Sequence, residues 1–412
     1  MDKNFFKDVT LNIISVVMSI LAPLVLIPVL TKSLELSIYG NYMALLAFIA
    51  LFVVFCDLGL DMYLSKEVSI TRDDGEEVSR LLSTFLTIKF LASVLVVPIF
   101  SFLMFYTLNI KNLNIVILAT VMLFNNNFRP TSFFNGLEKY QENTVFDFVG
   151  KLFLLTQVLL LDFTENAFEK AILVQILSVF LINASSYHYL FKNCKLRLKL
   201  PSSRDVSGLL RQAFEFYAAR LFVNIYNQSS TYLVSLVLKS EQVAIYSIGI
   251  QFYKLGQAMI GAVARVLYTR IVKSKAIKSV VKTTLLVLIL QAVLLPVVFI
   301  YGQQILAFAL EVQSPELIEI IKLFYVSLFF VIVSSFWGYP VMVAYNKTKY
   351  AHAGIFFTSF VYFLAYNIIL ISFEFDLVRA ALCILVADIV SMLVRVLFAY
   401  KVFIIEHKQH DF

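Results

Sequence analysis

Apolar and polar positions along the 412-residue chain fall in long blocks, not in a short alternation. Mostly apolar runs of about 20 residues or more are separated by short polar breaks. At 1.5 Å per residue, such a run crosses the roughly 30 Å hydrocarbon core of a bilayer. The pattern predicts twelve transmembrane helices, near residues 9–31, 39–64, 82–106, 113–134, 143–161, 170–191, 211–238, 241–264, 282–301, 316–344, 350–372 and 378–400. The first run follows Lys3 and Lys7 as a signal sequence would. It is too long for one and no small-x-small cleavage site follows, so an uncleaved first helix is expected.

The polar breaks supply the orientation. Of the 34 Lys and Arg, 22 fall in connections on one side of the membrane, 5 on the other and 7 inside spans. Basic connections face the cytoplasm, and the bias alternates loop by loop, which a missing helix would have scrambled. Both termini are therefore expected in the cytoplasm. The outer loops are short, none beyond about 15 residues, which leaves no room for an external domain.

The most basic inner connection, Lys192 to Asp205, divides the chain into an N-terminal six-helix lobe, 1–200, and a C-terminal six-helix lobe, 201–412. Six is even, so both lobes enter from the same face and a repeat axis would run along the membrane normal. SIYGNY (Ser37 to Tyr42) and EQVAIY (Glu241 to Tyr246) open corresponding helices. RPTSFFNGLEKY (Arg129 to Tyr140) and YPVMVAYNKTKY (Tyr339 to Tyr350) close corresponding ones, with Pro, Lys and Tyr matching at an offset of 210. Pro130 and Pro340 are expected to bend equivalent helices at equivalent depths.

Composition agrees: 60% of residues are hydrophobic and 15% charged, against about 25% charged in soluble domains. The net charge of +7 mostly reports the loop asymmetry, so nucleic-acid binding is not needed to explain it. Cys56, Cys194 and Cys383 lack disulfide or metal-ligand spacing, and no H-E-x-x-H or phosphate-binding G-x-x-x-x-G-K-[ST] occurs. No catalytic set, metal or cofactor is expected.

The informative residues are the charges lipid should exclude. Lys89, Arg129, Lys151, Arg220, Lys254, Lys322 and Arg395 lie in spans, with Asp57, Asp61, Asp147, Glu215 and Asp388 in or near them. Each costs at least about 2.5–3.5 kcal/mol at the bilayer centre, so such residues usually face a bundle interior or a wet cavity. Arg220, Asn224, Asn227 and Thr231 are spaced 4, 3 and 4 and share one face of the seventh helix; Ser247, Gln251 and Lys254 do the same on the eighth. The first helix carries Asn12, Ser15 and Ser19 before Pro23. Lys322 and Asp147 lie near helix ends, where snorkelling suffices, and Asp147 could pair with Lys151 at i,i+4. Arg129 could reach only the inner headgroups. Packing or capping would explain Asp57 and Asp61 as well as ion coupling, for which Asp388 is the better placed. Bases outnumber acids, which suits an anionic phosphate or pyrophosphate, with polar Asn, Gln, Ser and Tyr beside it for a sugar.

Pro28 to Ser69, with Gly40-x-Tyr42 and Asp57-Leu58-Gly59-Leu60, resembles the start of bacterial O-antigen and polysaccharide repeat-unit flippases (Wzx-type). These belong to the multidrug/oligosaccharidyl-lipid/polysaccharide exporter superfamily. FNGLEKY (Phe134 to Tyr140) and EQVAIYSIG (Glu241 to Gly249) fit the same pattern, with Ala244 where glycine is usual. The resemblance implies an all-α integral membrane protein whose two six-helix lobes form a V around a cationic central cavity. It implies alternating-access transfer of an undecaprenyl-pyrophosphate-linked oligosaccharide from the cytoplasmic to the periplasmic leaflet of the inner membrane. A proton or sodium gradient would drive it, with membrane lipids, a polysaccharide polymerase and a chain-length regulator as partners. Candidate cavity residues are then Arg220, Lys254, Asn224, Asn227, Gln251, Arg129, Lys89, Lys151 and Arg395; candidate coupling groups are Asp388, Asp57, Asp61 and Glu215. The rivals are a cation-coupled drug exporter, whose cavity would favour acids, and a membrane polymerase or acyltransferase, which would need a larger outer loop.

Overall fold

A computed structural model describes residues 25–274, 277–310, 314–345 and 347–410. Among these, helix is the only regular structure. Residues 25–33 form α1. There follow α2 (Leu36–Asp57), α3 (Leu60–Thr71), α4 (Gly75–Thr107), α5 (Leu113–Asn127), α6 (Thr131–Gly136), α7 (Tyr140–Leu160) and α8 (Ala167–Lys192). Then come α9 (Ser203–Ser235), α10 (Ser240–Ser274), α11 (Ile277–Leu310), α12 (Pro315–Trp337), α13 (Tyr339–Ala344), α14 (Thr348–Ser372) and α15 (Leu377–His410). Asn12, Ser15, Ser19 and Pro23 lie outside the described residues.

Eight described helices or helix pairs are long and apolar enough to cross a membrane. The other four expected spans fall short for identifiable reasons. The first lies largely outside the described residues. The fourth is interrupted after Asn127. The seventh and eighth, α9 and α10, are long enough but carry the polar stripes.

The second span corrects the sequence expectation of an unbroken helix over 39–64. It stops at Asp57, and Leu58 (φ 50°) and Gly59 (φ 82°) turn left-handed before α3 begins. Glycine adopts that conformation without steric penalty. Here it also lets α9 approach, because a Cβ on Gly59 would collide with the carbonyl oxygen of Ala213. Asp57 accepts from the Asp61 backbone N–H (3.3 Å) and so caps the new helix. The D-L-G-L motif is thus a capped helix break.

The described chain divides into two compact units, Met1–Leu236 and Val237–Phe412. The seventh helix, α9, packs on α2 and α3 and so falls with the first unit, whereas the linker reading put it in the second lobe. The linker is held against α4: Arg197 and Lys199 donate backbone N–H groups to Ser79 and Ser83 (3.0 and 2.9 Å), one helical turn apart. Leu196 is buried beside them. Asp205 closes a capping box with Ser202 at the start of α9 and pairs with Arg80 (2.8 Å). At this end of the unit Tyr63, Leu82, Phe85, Phe133, Phe134 and Leu190 form one apolar core.

In the second unit, α12 packs against α10 and α15, and α15 against α14. Gly249 and Gly256, two turns apart on α10, face Ile320 and Leu328 of α12 and allow close contact.

Both units repeat one irregular feature. The six-residue α6 and α13 each follow a break, and each ends in a backbone bond across five residues, Lys139 N to Phe134 O and Lys347 N to Met342 O, both 2.8 Å. The offset, 339 less 131, is 208. This corrects the 210 read from Pro, Lys and Tyr. Pro130 is the N-cap of α6 and its counterpart is Gly338, not Pro340, which lies inside α13.

Candidate functional site

A cavity of about 310 Å³ opens within the first unit, between α2, α4, α5, α8 and α9. Leu46, Ile49, Ala50, Val53 and Val54 of α2 form an apolar wall; Asp57, Asp61, Lys89, Asn126, Asn127, Arg129, Gln175 and Gln228 supply polar groups.

Its charges are matched locally. Lys89 and Asp57 form an ion pair of 2.8 Å with side chains 2% and 4% exposed. Lys89 also donates to Asn127 Oδ1 (3.1 Å), while Asn127 Nδ2 donates to Ser93 Oγ (2.8 Å) and to the Lys89 carbonyl (3.3 Å). Arg129 pairs with Asp147 of α7. Lys151, one turn further along α7, is half-buried and makes no ion pair among the described residues; Asp147 is held by Arg129 instead.

Asn125, Asn126 and Asn127 end α5, and each does something different. Asn125 donates to the Ile176 carbonyl of α8 (2.8 Å) and accepts from Asn183 (2.9 Å). Asn126 faces the cavity, donating to its own helix at Met122 O (2.8 Å). Asn127 joins α5 to α4. Consecutive helical residues point about 100° apart, so a triplet reaches three neighbours. Sequence reasoning passed over this triplet and over Gln175 and Gln228. The signal was three amides in a row inside an apolar run. Gln228 also belongs to the stripe on α9, four residues after Asn224 and three before Thr231.

The side chains of Arg220, Asn224, Asn227 and Glu215 lie outside the described residues; their backbone is part of α9. Thr231 is buried.

The second unit holds the remaining candidates, and they do not converge. On α10, Ser247 is fully buried, Gln251 half-buried and Lys254 exposed. Lys254 lies about 21 Å along the helix from Ser240 and makes no hydrogen bond or ion pair with any described residue. Its stripe continues through Ala258 and Gly261 to Arg265, while Met259, Val263 and Val266 mark a separate oily face. Asp388 of α15 is buried and accepts from the Tyr253 hydroxyl (2.5 Å), which in turn accepts from Gln257 (2.8 Å). Arg395 donates to the Ser334 carbonyl (3.1 Å), which also accepts from the Gly338 backbone N–H (3.0 Å) at the end of α12. The Arg395 stem lies over Gly338, where a Cβ would collide with the Ser334 carbonyl and with Arg395, and over Gly354, where a Cβ would press on Arg395 Cγ at 3.2 Å. Lys322 lies over the Phe299 ring at 5.4 Å. Among the described residues no group of His, Cys, Asp and Glu is arranged to hold a metal.

Apolar spans, paired interior charges and a polar-lined cavity define a multi-pass, all-α integral membrane protein. Its fold is similar to those of a solved multidrug transporter and a solved lipid II flippase. It superposes on lipid II flippase MurJ in an inward closed conformation with a TM-score of 0.73 at 14% identity, covering 95% of this chain and 87% of that one. An inward-facing multidrug resistance MATE transporter gives 0.67 at 14% identity, covering 94% and 99%. A MOP superfamily transporter from Pyrococcus furiosus, described as having a binding pocket of reverse polarity, gives 0.58 at 12%, covering 94% and 93%. The chain belongs to the polysaccharide biosynthesis protein family, whose model matches residues 5–275. No curated protein sequence matches it.

Proposed function

We propose that the protein is a flippase for an undecaprenyl-pyrophosphate-linked oligosaccharide, carrying it from the cytoplasmic to the periplasmic leaflet of the inner membrane by alternating access. The termini are cytoplasmic in this reading. Membership of a polysaccharide biosynthesis family supports the substrate class. The observation that carries the reading is Lys254, a mid-helix ammonium with no described partner, on a stripe of small residues that leads to Arg265. A charge held there needs water or an anion. The pyrophosphate docks at Lys254, with Gln251 one turn before it on α10; Arg220, Asn224 and Asn227 of α9 are further candidate ligands of the substrate. The lipid tail stays in the bilayer.

The drug-exporter alternative draws on the MATE likeness, which concerns the fold. A cationic drug would be repelled by Lys254, so the anionic substrate is preferred. Coupling falls to Asp388, whose Tyr253 and Gln257 contacts form a buried relay suited to a proton or sodium ion.

Deletion of the gene tests the reading. Lipid-linked oligosaccharide should accumulate on the cytoplasmic leaflet; accumulation on the periplasmic leaflet refutes transport. Arg220→Ala should abolish surface polysaccharide with normal protein in the membrane, and full polysaccharide would remove Arg220 from the mechanism.

A further inference from the structure

The cavity of the first unit has the wrong chemistry for a diphosphate. The charged side chains lining it are Asp57, Asp61, Lys89 and Arg129, two of each sign. Both bases are engaged, Lys89 by Asp57 at 2.8 Å and Arg129 by Asp147. An entering phosphate would have to compete with carboxylates already in place and would face Asp61.

What the cavity offers freely is carboxamide. Gln175 Oε1 accepts from Tyr42 (3.2 Å), leaving its Nε2 without a described partner. Asn126 donates to Met122 O, leaving its Oδ1. Gln228 makes no hydrogen bond with any described residue. Donor and acceptor groups thus come from residues that line one space, together with the apolar side chains of Ile49 and Val53 of α2. A sugar ring matches both surfaces. Each hydroxyl donates one bond and accepts others, and the ring's C–H face suits an aliphatic wall. Pockets that bind small molecules commonly combine an apolar lining with a few convergent polar groups.

We propose that this cavity is a recognition subsite for uncharged sugar residues of the transported oligosaccharide, read by Asn126, Gln175 and Gln228. The proposal rests on the flippase reading and adds a division of labour. Cations elsewhere take the diphosphate, and neutral amides here take the glycan. A site built to bond a hydroxyl discriminates strongly against an analogue that lacks it, so this is where repeat-unit selectivity would reside.

The test uses the purified full-length protein and native mass spectrometry. One probe is the oligosaccharide released by mild acid from the host's own lipid-linked repeat unit; the other is inorganic pyrophosphate. The wild type should bind the oligosaccharide. Gln175→Leu and Asn126→Leu should each weaken that binding roughly fivefold, the effect of one lost hydrogen bond, and leave pyrophosphate binding unchanged. Gln228→Leu breaks no described bond and carries the test if the Gln175 variant does not fold. Unchanged oligosaccharide binding in the variants, or none by the wild type, overturns the subsite. That outcome alongside cytoplasmic accumulation in the deletion strain sinks the subsite alone. Periplasmic accumulation sinks the transport reading instead.

Discussion

Lys89→Met is the most informative single substitution. It keeps an unbranched apolar stem as far as Cε, removes the charged amine and leaves Asp57 buried. Both side chains are under 5% exposed at 2.8 Å, and Lys89 also anchors Asn127. Removing one partner of such a pair usually destabilises by about 3–5 kcal/mol, because a charge is stranded. Forcing an ordinary carboxyl group to hold its proton at pH 7 requires about 4 kcal/mol, which caps the effect at similar size. An interhelical hydrogen bond in a membrane protein averages about 0.6 kcal/mol, so the two cases separate clearly. Asp57→Asn should do comparable harm from the other side. The double variant strands nothing and should recover most of the loss, giving a coupling of about 2 kcal/mol or more. Denaturant titration of the four purified proteins in one detergent measures the cycle. A Lys89→Met cost below about 1 kcal/mol, with additive singles, would mean that cavity water already solvates both charges. The matched-charge description of the cavity would then be wrong.

Gly59→Ala should destabilise by at least about 1–2 kcal/mol, the penalty of a left-handed non-glycine residue, and by more because Ala213 leaves no space for the methyl. The same titration checks it. Asp388→Asn should remove the dependence of transport on its driving gradient while the protein still binds pyrophosphate; gradient-dependent transport by the variant excludes Asp388 from coupling. At the linker, hydrogen bonds from Ser202, with Arg80 close by, hold the Asp205 carboxyl below its usual range. Its contribution is therefore full above about pH 4, the ordinary carboxylate value, and is lost as pH falls through the depressed one. Amide exchange in the first turn of α9 should stay slow from pH 8 to pH 5, after correction for intrinsic rates, and Asp205→Asn should speed it throughout.

Block hydropathy made the spans legible. Helical spacing alone puts Ser247, Gln251 and Lys254 on one face of α10. What spacing cannot give is partner choice. Lys89 and Asp57 are 32 positions apart, and Arg129 chose Asp147 over the headgroups. Asp147 in turn was taken from Lys151, its natural i,i+4 partner. Arg395 bonds a main-chain carbonyl, Ser334 O, 61 positions away on α12, a partner no side-chain spacing names. The break at Gly59 was hidden because Leu58 and Leu60 continue the oily run without interruption.

The repeat offset has a practical consequence. Two positions of misalignment correspond to about 200° of rotation around a helix. Anyone who transfers an assignment from one half of this molecule to the other by lining up the prolines would move it to nearly the opposite side of the helix. An inward-pointing residue would be scored as greasy exterior, and its mutagenesis would return a silence easily mistaken for dispensability.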